Sequence, residues 1–230
     1  MYALSVKDLS FSYGKEKEPL FEKLSLDVER GSVVALTGKS GTGKSTLCYI
    51  MCGIIPKILK MNIKGSVELF GRNINDMKTE EIYSIAGIVF QDPETQLFMP
   101  SVEDELAFAP ENLCCERSEI NRRIYNSLKA VGMENFRYHQ TNSLSGGQKQ
   151  LIAIASVLTM EPEILIFDEI MSQLDKKSKL RIKEVINGLK NDGKTIVMVE
   201  HDEDNLDLAD EVYHLENRSL SKISGRACNK

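Results

Sequence analysis

The apolar positions of this chain change period several times, and the changes divide it into strands and helices. Residues 2–7 and 24–28 are β-rich and alternate as half-buried strands, with the turn-like Tyr13-Gly14 between them. Residues 33–36, 164–167 and 195–199 are short apolar runs, the pattern of strands covered on both faces. Residues 65–70 and 85–90 read as further strands, and 212–215 as the last. Helical spacing governs residues 44–52, 102–108, 118–131, 146–160 and 176–190, and a short acidic helix is expected over 202–208. Strands alternating with helices predict an α/β fold with a largely parallel sheet, into which the middle helical block is inserted. The expected organisation is one domain, with a core of about 1–91 and 161–230 and a helical subdomain of about 92–160.

The apolar strand 33–36 runs directly into Gly38, Lys39, Ser40, Gly41, Thr42, Gly43, Lys44, Ser45 and Thr46, and a helix follows. Gly38-x4-Gly43-Lys44-Ser45 is a P-loop spacing in its required strand–loop–helix setting. Glycines let the backbone N–H groups curl around phosphate oxygens, and the helix start adds its positive end. Lys44 is the candidate to bridge the β- and γ-phosphates of ATP, and the Ser45 hydroxyl is a candidate Mg²⁺ ligand. A triphosphate site needs a second metal partner at the end of a neighbouring strand. Asp168 ends the strand 164–167 and fits that role, with Glu169 placed to orient or deprotonate the attacking water. Alone, an acidic pair after a strand usually marks a helix start; beside a P-loop it points to nucleotide chemistry.

Leu144, Ser145, Gly146, Gly147 and Gln148 form a capped helix start whose glycines leave N–H groups open, which is an anion site. In this order between the P-loop and Asp168-Glu169, the five residues match the signature motif of ABC ATPases, which the chain resembles over essentially its whole length. That resemblance implies an N-terminal antiparallel β-subdomain, a helical insertion and ATP hydrolysis with Mg²⁺. It also implies pairing of two ATPase subunits, so that the signature of one closes over the γ-phosphate held by the P-loop of the other. Further positions carry over from the resemblance. Tyr13 is similar to the aromatic that stacks on adenine, Gln91 to the Q-loop glutamine that touches metal and water, Asp175 to the D-loop residue that crosses the dimer interface, and His201 to the switch histidine.

Residues 90–98, with Val102-Glu103-Asp104-Glu105 and Pro110-Glu111-Asn112-Leu113, resemble the ATPases of energy-coupling-factor importers of vitamins and transition metals. Such ATPases pair as homo- or heterodimers under a transmembrane coupling subunit joined to a substrate-binding membrane subunit. The coupling surface is expected around residues 96–108, with Leu97, Phe98 and Phe108 as apolar contacts. The chain departs from the common ABC pattern at Leu151, Ile170, Met171, Gln173, Lys176 and Glu200, the last standing where threonine is frequent. These departures fall around the expected dimer interface and suggest a non-identical partner.

Composition narrows the alternatives. A formal net charge of -5 argues against a sequence-independent nucleic-acid binder. No segment approaches the roughly 20 apolar residues of a spanning helix, and no secretory signal is expected, so the chain reads as cytoplasmic; the resemblance to transporter ATPases implies a place at the cytoplasmic face of the cell membrane. Five cysteines, an odd number with no framework spacing, read as free thiols.

Overall fold

The computed structural model describes residues 1–14 and 18–225. Among these residues ten strands form two sheets. The first is antiparallel, in the order β2-β1-β4-β5, built from β1 (Tyr2–Phe11), β2 (Phe21–Glu29), β4 (Lys64–Leu69) and β5 (Arg72–Asn73). The second has the order β10-β9-β3-β8-β7-β6: β3 (Val33–Thr37), β6 (Ala86–Val89), β7 (Ile164–Asp168), β8 (Thr195–Val199) and β9 (Glu211–Glu216) run parallel, and β10 (Ser219–Gly225) returns antiparallel on β9. Six α-helices accompany them: α1 (Lys44–Met51), α2 (Thr79–Ile85), α3 (Val102–Asn112), α4 (Arg117–Val131), α5 (Gly146–Leu158) and α6 (Lys176–Asn191). Helices α3 to α5 lie between β6 and β7 in the chain, as the sequence predicts.

The parallel sheet separates two apolar cores, which explains its unbroken hydrophobic strands. Val34 and Leu36 of β3, Ile164 and Ile166 of β7, and Val197 and Val199 of β8 join α1 and the antiparallel sheet on one side. Their neighbours Val33, Ala35, Leu165, Phe167, Ile196 and Met198 join α4, α5 and α6 on the other. Period two therefore survives in the packing although both faces are apolar. The sheet's C-terminal edge, where β3, β7 and β8 deliver Thr37, Asp168 and Glu200, is the ligand-binding edge of such folds.

Several expectations need correction. Ile85 ends α2 instead of opening a strand; Glu81 accepts the Lys78 N–H at 2.8 Å, half of a capping box that starts this helix. The acidic stretch is a 3₁₀ segment, Glu203–Leu208, opened by the Asp202 side chain, which accepts from the Asp204 N–H. The chain also continues past β9 into β10, through a two-residue turn in which Asn217 and Arg218 are both left-handed, with φ of 49° and 67°. That is the turn geometry that matches the twist of a hairpin.

Candidate active site

The loop from β3 to α1 is shaped by close approach. A Cβ on Gly38 (φ 144°) would stand 2.5 Å from the Leu215 carbonyl oxygen of β9, so only glycine fits beside that backbone. A Cβ on Gly43 (φ 102°) would meet the Leu20 side chain at 2.7 Å. Lys44 folds back under the loop, donating to the carbonyls of Gly38 and Lys39 at 3.0 Å each, while Thr42 donates its hydroxyl to the same Lys39 carbonyl at 2.9 Å. Lys39, Ser40 and Gly41 remain exposed at the loop's crest. Lys44 is only 4% exposed, and burial pushes its ammonium group down against the upward pull of Glu169 and Asp168.

Around that lysine the fold brings together residues far apart in sequence. Ser45 donates to Asp168 Oδ1 at 3.0 Å, which joins the first turn of α1 to the end of β7. Burial pushes the Asp168 carboxyl up, with the neighbouring Glu169 adding to the rise and the Ser45 bond opposing it. Glu169 is held in left-handed backbone (φ 53°), a conformation costing about 1–3 kcal/mol in a non-glycine residue. Its carboxylate oxygen sits 4.0 Å from Lys44 Nζ and 2.7 Å from His201 Nε2. A buried carboxylate disfavoured by its surroundings, beside a serine hydroxyl, is a donor set that a divalent cation would complete.

The remaining predicted residues divide into two groups. Tyr13 stands 47% exposed, with its hydroxyl 2.8 Å from Thr46 Oγ1 and its ring nearly perpendicular to that of Phe11, so a half-exposed aromatic ring stands beside the P-loop. Gln91 donates to Ser172 Oγ at 3.2 Å, touching the turn after Glu169 but neither Asp168 nor Ser45. The other group gathers at α5 and α6. Ser145 and Gln148 form a reciprocal capping box, with Gln148 Oε1 accepting the Ser145 N–H at 2.8 Å. Gly147 packs so tightly on α6 that its Cβ would stand 2.2 Å from Ser178 Oγ, whereas Gly146 faces open space. Asp175 caps α6 by accepting the Lys177 and Ser178 N–H groups at 2.9 and 3.0 Å, bonds that hold its carboxyl below the ordinary range. Among the described residues no hydrogen bond joins this second group to the P-loop.

Two supporting residues escape sequence reasoning. Gln150, 1% exposed on α5, donates to the Phe90 carbonyl at 3.2 Å, and Gln96 Oε1 accepts the Phe90 N–H at 3.1 Å. Together they fix the strand end that carries Gln91. A polar residue within a helical pattern reads as solvent-facing, so nothing in the sequence marks Gln150. Of the three expected coupling contacts, Leu97 instead packs against the second core. Phe98 and Phe108 are 62% and 39% exposed, edge-to-face at 4.8 Å, and line a groove of about 240 Å³ between α2, β6, α3 and α5.

The ABC transporter family profile matches residues 21–172. The chain belongs to the ABC transporter family. It is 38% identical, over 91% of its length and 74% of the relative's, to the energy-coupling factor transporter ATP-binding protein EcfA of Methanosarcina acetivorans. The structure of CbiO1 from Clostridium perfringens, part of the ABC transporter complex CbiONQ, superimposes with a TM-score of 0.86 at 32% identity, covering 96% of this chain and 87% of that one. A bacterial Atm1-family ABC exporter with ATP bound shares the fold at a TM-score of 0.79 and 23% identity, over 96% of this chain and 38% of the exporter. The chain spans only 31 to 38% of the length of three longer archaeal relatives, from two Methanosarcina species and Saccharolobus solfataricus, that it matches at 38 to 44% identity. The family is one of ATPases, and among the described residues no helix is long and apolar enough to cross a membrane.

Proposed function

We propose that this chain is the ATP-hydrolysing subunit of an importer of the energy-coupling-factor type, working at the cytoplasmic face of a membrane through separate membrane subunits. The observation that carries the reading is the convergence of Lys44, Ser45, Asp168, Glu169 and His201, from three separate stretches of the chain, at one end of the parallel sheet. In this reading the backbone of residues 38–43 and Lys44 hold the phosphates, and Tyr13 offers its ring to adenine. Ser45 and Asp168 would hold Mg²⁺, with Gln91 joining them only on leaving its bond to Ser172, and the ion would supply charge neutralisation on the phosphates when bound. Glu169 accepts a proton from, or orients, the attacking water, and His201 holds the γ-phosphate end.

Lys44 bonds to loop carbonyls and Glu169 bonds to His201, so a nucleotide has to exchange these contacts for its own. Among the described residues the signature group, Ser145 to Gln148, makes no hydrogen bond to the same chain's P-loop, which suits a site completed by a second ATPase subunit, identical or not. Residues 92–160 act here as a helical subdomain on a core of 1–91 and 161–230. The exposed Phe98–Phe108 pair is the place for a transmembrane coupling subunit, itself joined to a substrate-binding subunit for a vitamin or metal ion. The resemblance to EcfA and CbiO1 supports this choice over an exporter.

The test is to purify the tagged chain from gently solubilised native membranes, identify what accompanies it, and measure ATP hydrolysis. A second ATPase and two small hydrophobic subunits are expected, and Glu169→Gln is expected to retain ATP while losing turnover. A large two-domain permease in their place, or turnover that survives Glu169→Gln, would overturn the proposal.

A further inference from the structure

His201 sits in a turn that is closed from the inside by a buried carboxylate. Glu200 and Asn205 are 4% and 2% exposed, and Asn205 Nδ2 donates to Glu200 Oε2 at 3.2 Å. The Glu200 main-chain N–H donates to the Leu36 carbonyl of β3 at 3.1 Å, so the start of the turn is pinned to the sheet. Outside the turn, Lys179 of α6 donates to Asp202 at 2.9 Å, and the Asn205 N–H donates to the Asp202 carbonyl at 3.0 Å. Glu200, Asn205, Lys179 and Ser172 share with Glu169 and His201 a cavity of about 250 Å³. Burial pushes the Glu200 carboxyl up, and the Asn205 amide and the Asp202 and His201 N–H groups oppose that rise.

A side chain confined this way carries a desolvation penalty that a neutral residue closing the same turn would avoid. We infer that Glu200 is a positioning residue for hydrolysis: through Asn205 it fixes the turn that sets the His201 imidazole against Glu169. The inference rests on the proposed ATPase reading, and it adds a group that acts through another residue. Its effect is to hold a histidine on a short exposed turn in one geometry, where a 1 Å displacement can change a rate by about a hundredfold.

Two readouts test it. The chain has three histidines, His139, His201 and His214, whose ring signals in nuclear magnetic resonance report each site separately. His139 packs on Phe136, whereas His214 bonds to Thr37 and shares a cavity with Glu200 and His201, so His139 is the reference signal. Glu200→Gln and Asn205→Ala, the second of which keeps the carboxylate, are both expected to move the His201 signal and leave that of His139 in place, which also reports that the chain is folded. In the complex, each variant is expected to lower kcat for ATP about tenfold with KM changed less than about twofold, and to lower it no further in a His201→Ala background. Losses that multiply in the double variants, or a His201 signal unmoved by both substitutions, would overturn the inference. If the complex hydrolyses no ATP, the proposed function fails, and the ring signals alone decide the role of Glu200.

Discussion

The two glycines of the signature motif make a paired experiment, because the same methyl group meets opposite surroundings one residue apart. Gly146 and Gly147 are the first two residues of α5. Alanine in a helix is favoured over glycine by up to about 1 kcal/mol. At Gly146 nothing lies within 4 Å of the added Cβ, so Gly146→Ala should stabilise the chain and raise Tm by about 1–3 °C. At Gly147 the methyl would sit 2.2 Å from Ser178 Oγ and 2.7 Å from Ser178 Cβ. The hydroxyl can rotate, at the expense of its 3.0 Å bond to Asp175, but the Cβ cannot move without α6. Overpacking of this kind costs about 1–3 kcal/mol, which outweighs the helix gain and should lower Tm by roughly 2–6 °C.

Function should divide the pair differently. If the signature of one subunit faces the phosphates of the other, the open space over Gly146 is where the nucleotide arrives. Gly146→Ala should then lower ATP hydrolysis by at least about tenfold in the more stable of the two proteins. Thermal unfolding of the isolated chain and ATPase assays of the complex give both numbers. Hydrolysis at the parent rate in Gly146→Ala would mean that nothing approaches this face. A Tm loss there equal to that of Gly147→Ala would refute the packing argument itself.

Burial holds the Asp168 carboxyl above its ordinary value of 3.8, so the folded chain binds that proton more tightly than the unfolded chain does. Its contribution to stability therefore falls as pH rises from about the unfolded value through the folded one. In metal-free buffer Asp168→Asn should melt above the parent at pH 7, with the gap closing below about pH 3.8; Mg²⁺ with ATP should raise the melting point of the parent alone. At Tyr13, removing the hydroxyl by Tyr13→Phe breaks one 2.8 Å bond to Thr46 and should change ATP affinity by only a few-fold. Tyr13→Ala removes the ring and should weaken binding by about five- to a hundredfold, a stacking loss of roughly 1–3 kcal/mol; equal effects in a fluorescent-nucleotide titration would remove Tyr13 from the adenine site.

How much could be read beforehand follows from how local the physics was. The strands β3, β7 and β8 were legible because burial on both faces leaves an unbroken apolar run, and the P-loop because the Gly38–Leu215 approach allows only one residue type. The edge strand β10 was not, since its sequence Ser219–Gly225 has no apolar face and its pairing depends on two left-handed residues that are not glycine. Within the site, Glu169 and His201 could be named but not their mutual bond, and Gln150 and Asn205 act through burial that no local pattern reports. Asp175, expected at the interface between subunits, also caps α6 within this chain, a role its motif does not announce.

Burial also sorts the departures from the common ABC pattern. Leu151, Ile170 and Met171 are 3%, 2% and 0% exposed and belong to the second core, so they answer to packing and carry no information about a partner. Gln173 and Lys176 are exposed on either side of Asp175, and they alone bear on whether the second subunit is identical. Lys176 is the first residue of α6, where its N–H has no partner inside the helix and proline is well accommodated. The preceding Asp175 already has the extended backbone that proline demands of its neighbour, with φ of -67° and ψ of 163°. Lys176→Pro should therefore keep or raise stability by about 0.5–1 kcal/mol. If Lys176 exists to select the partner, this variant should pair less well with the co-purified ATPase in ATP-dependent light-scattering or cross-linking assays while its melting point holds. Unchanged pairing at an unchanged melting point would show that the lysine is a solvated helix start and that the case for a non-identical partner must rest on Gln173 alone.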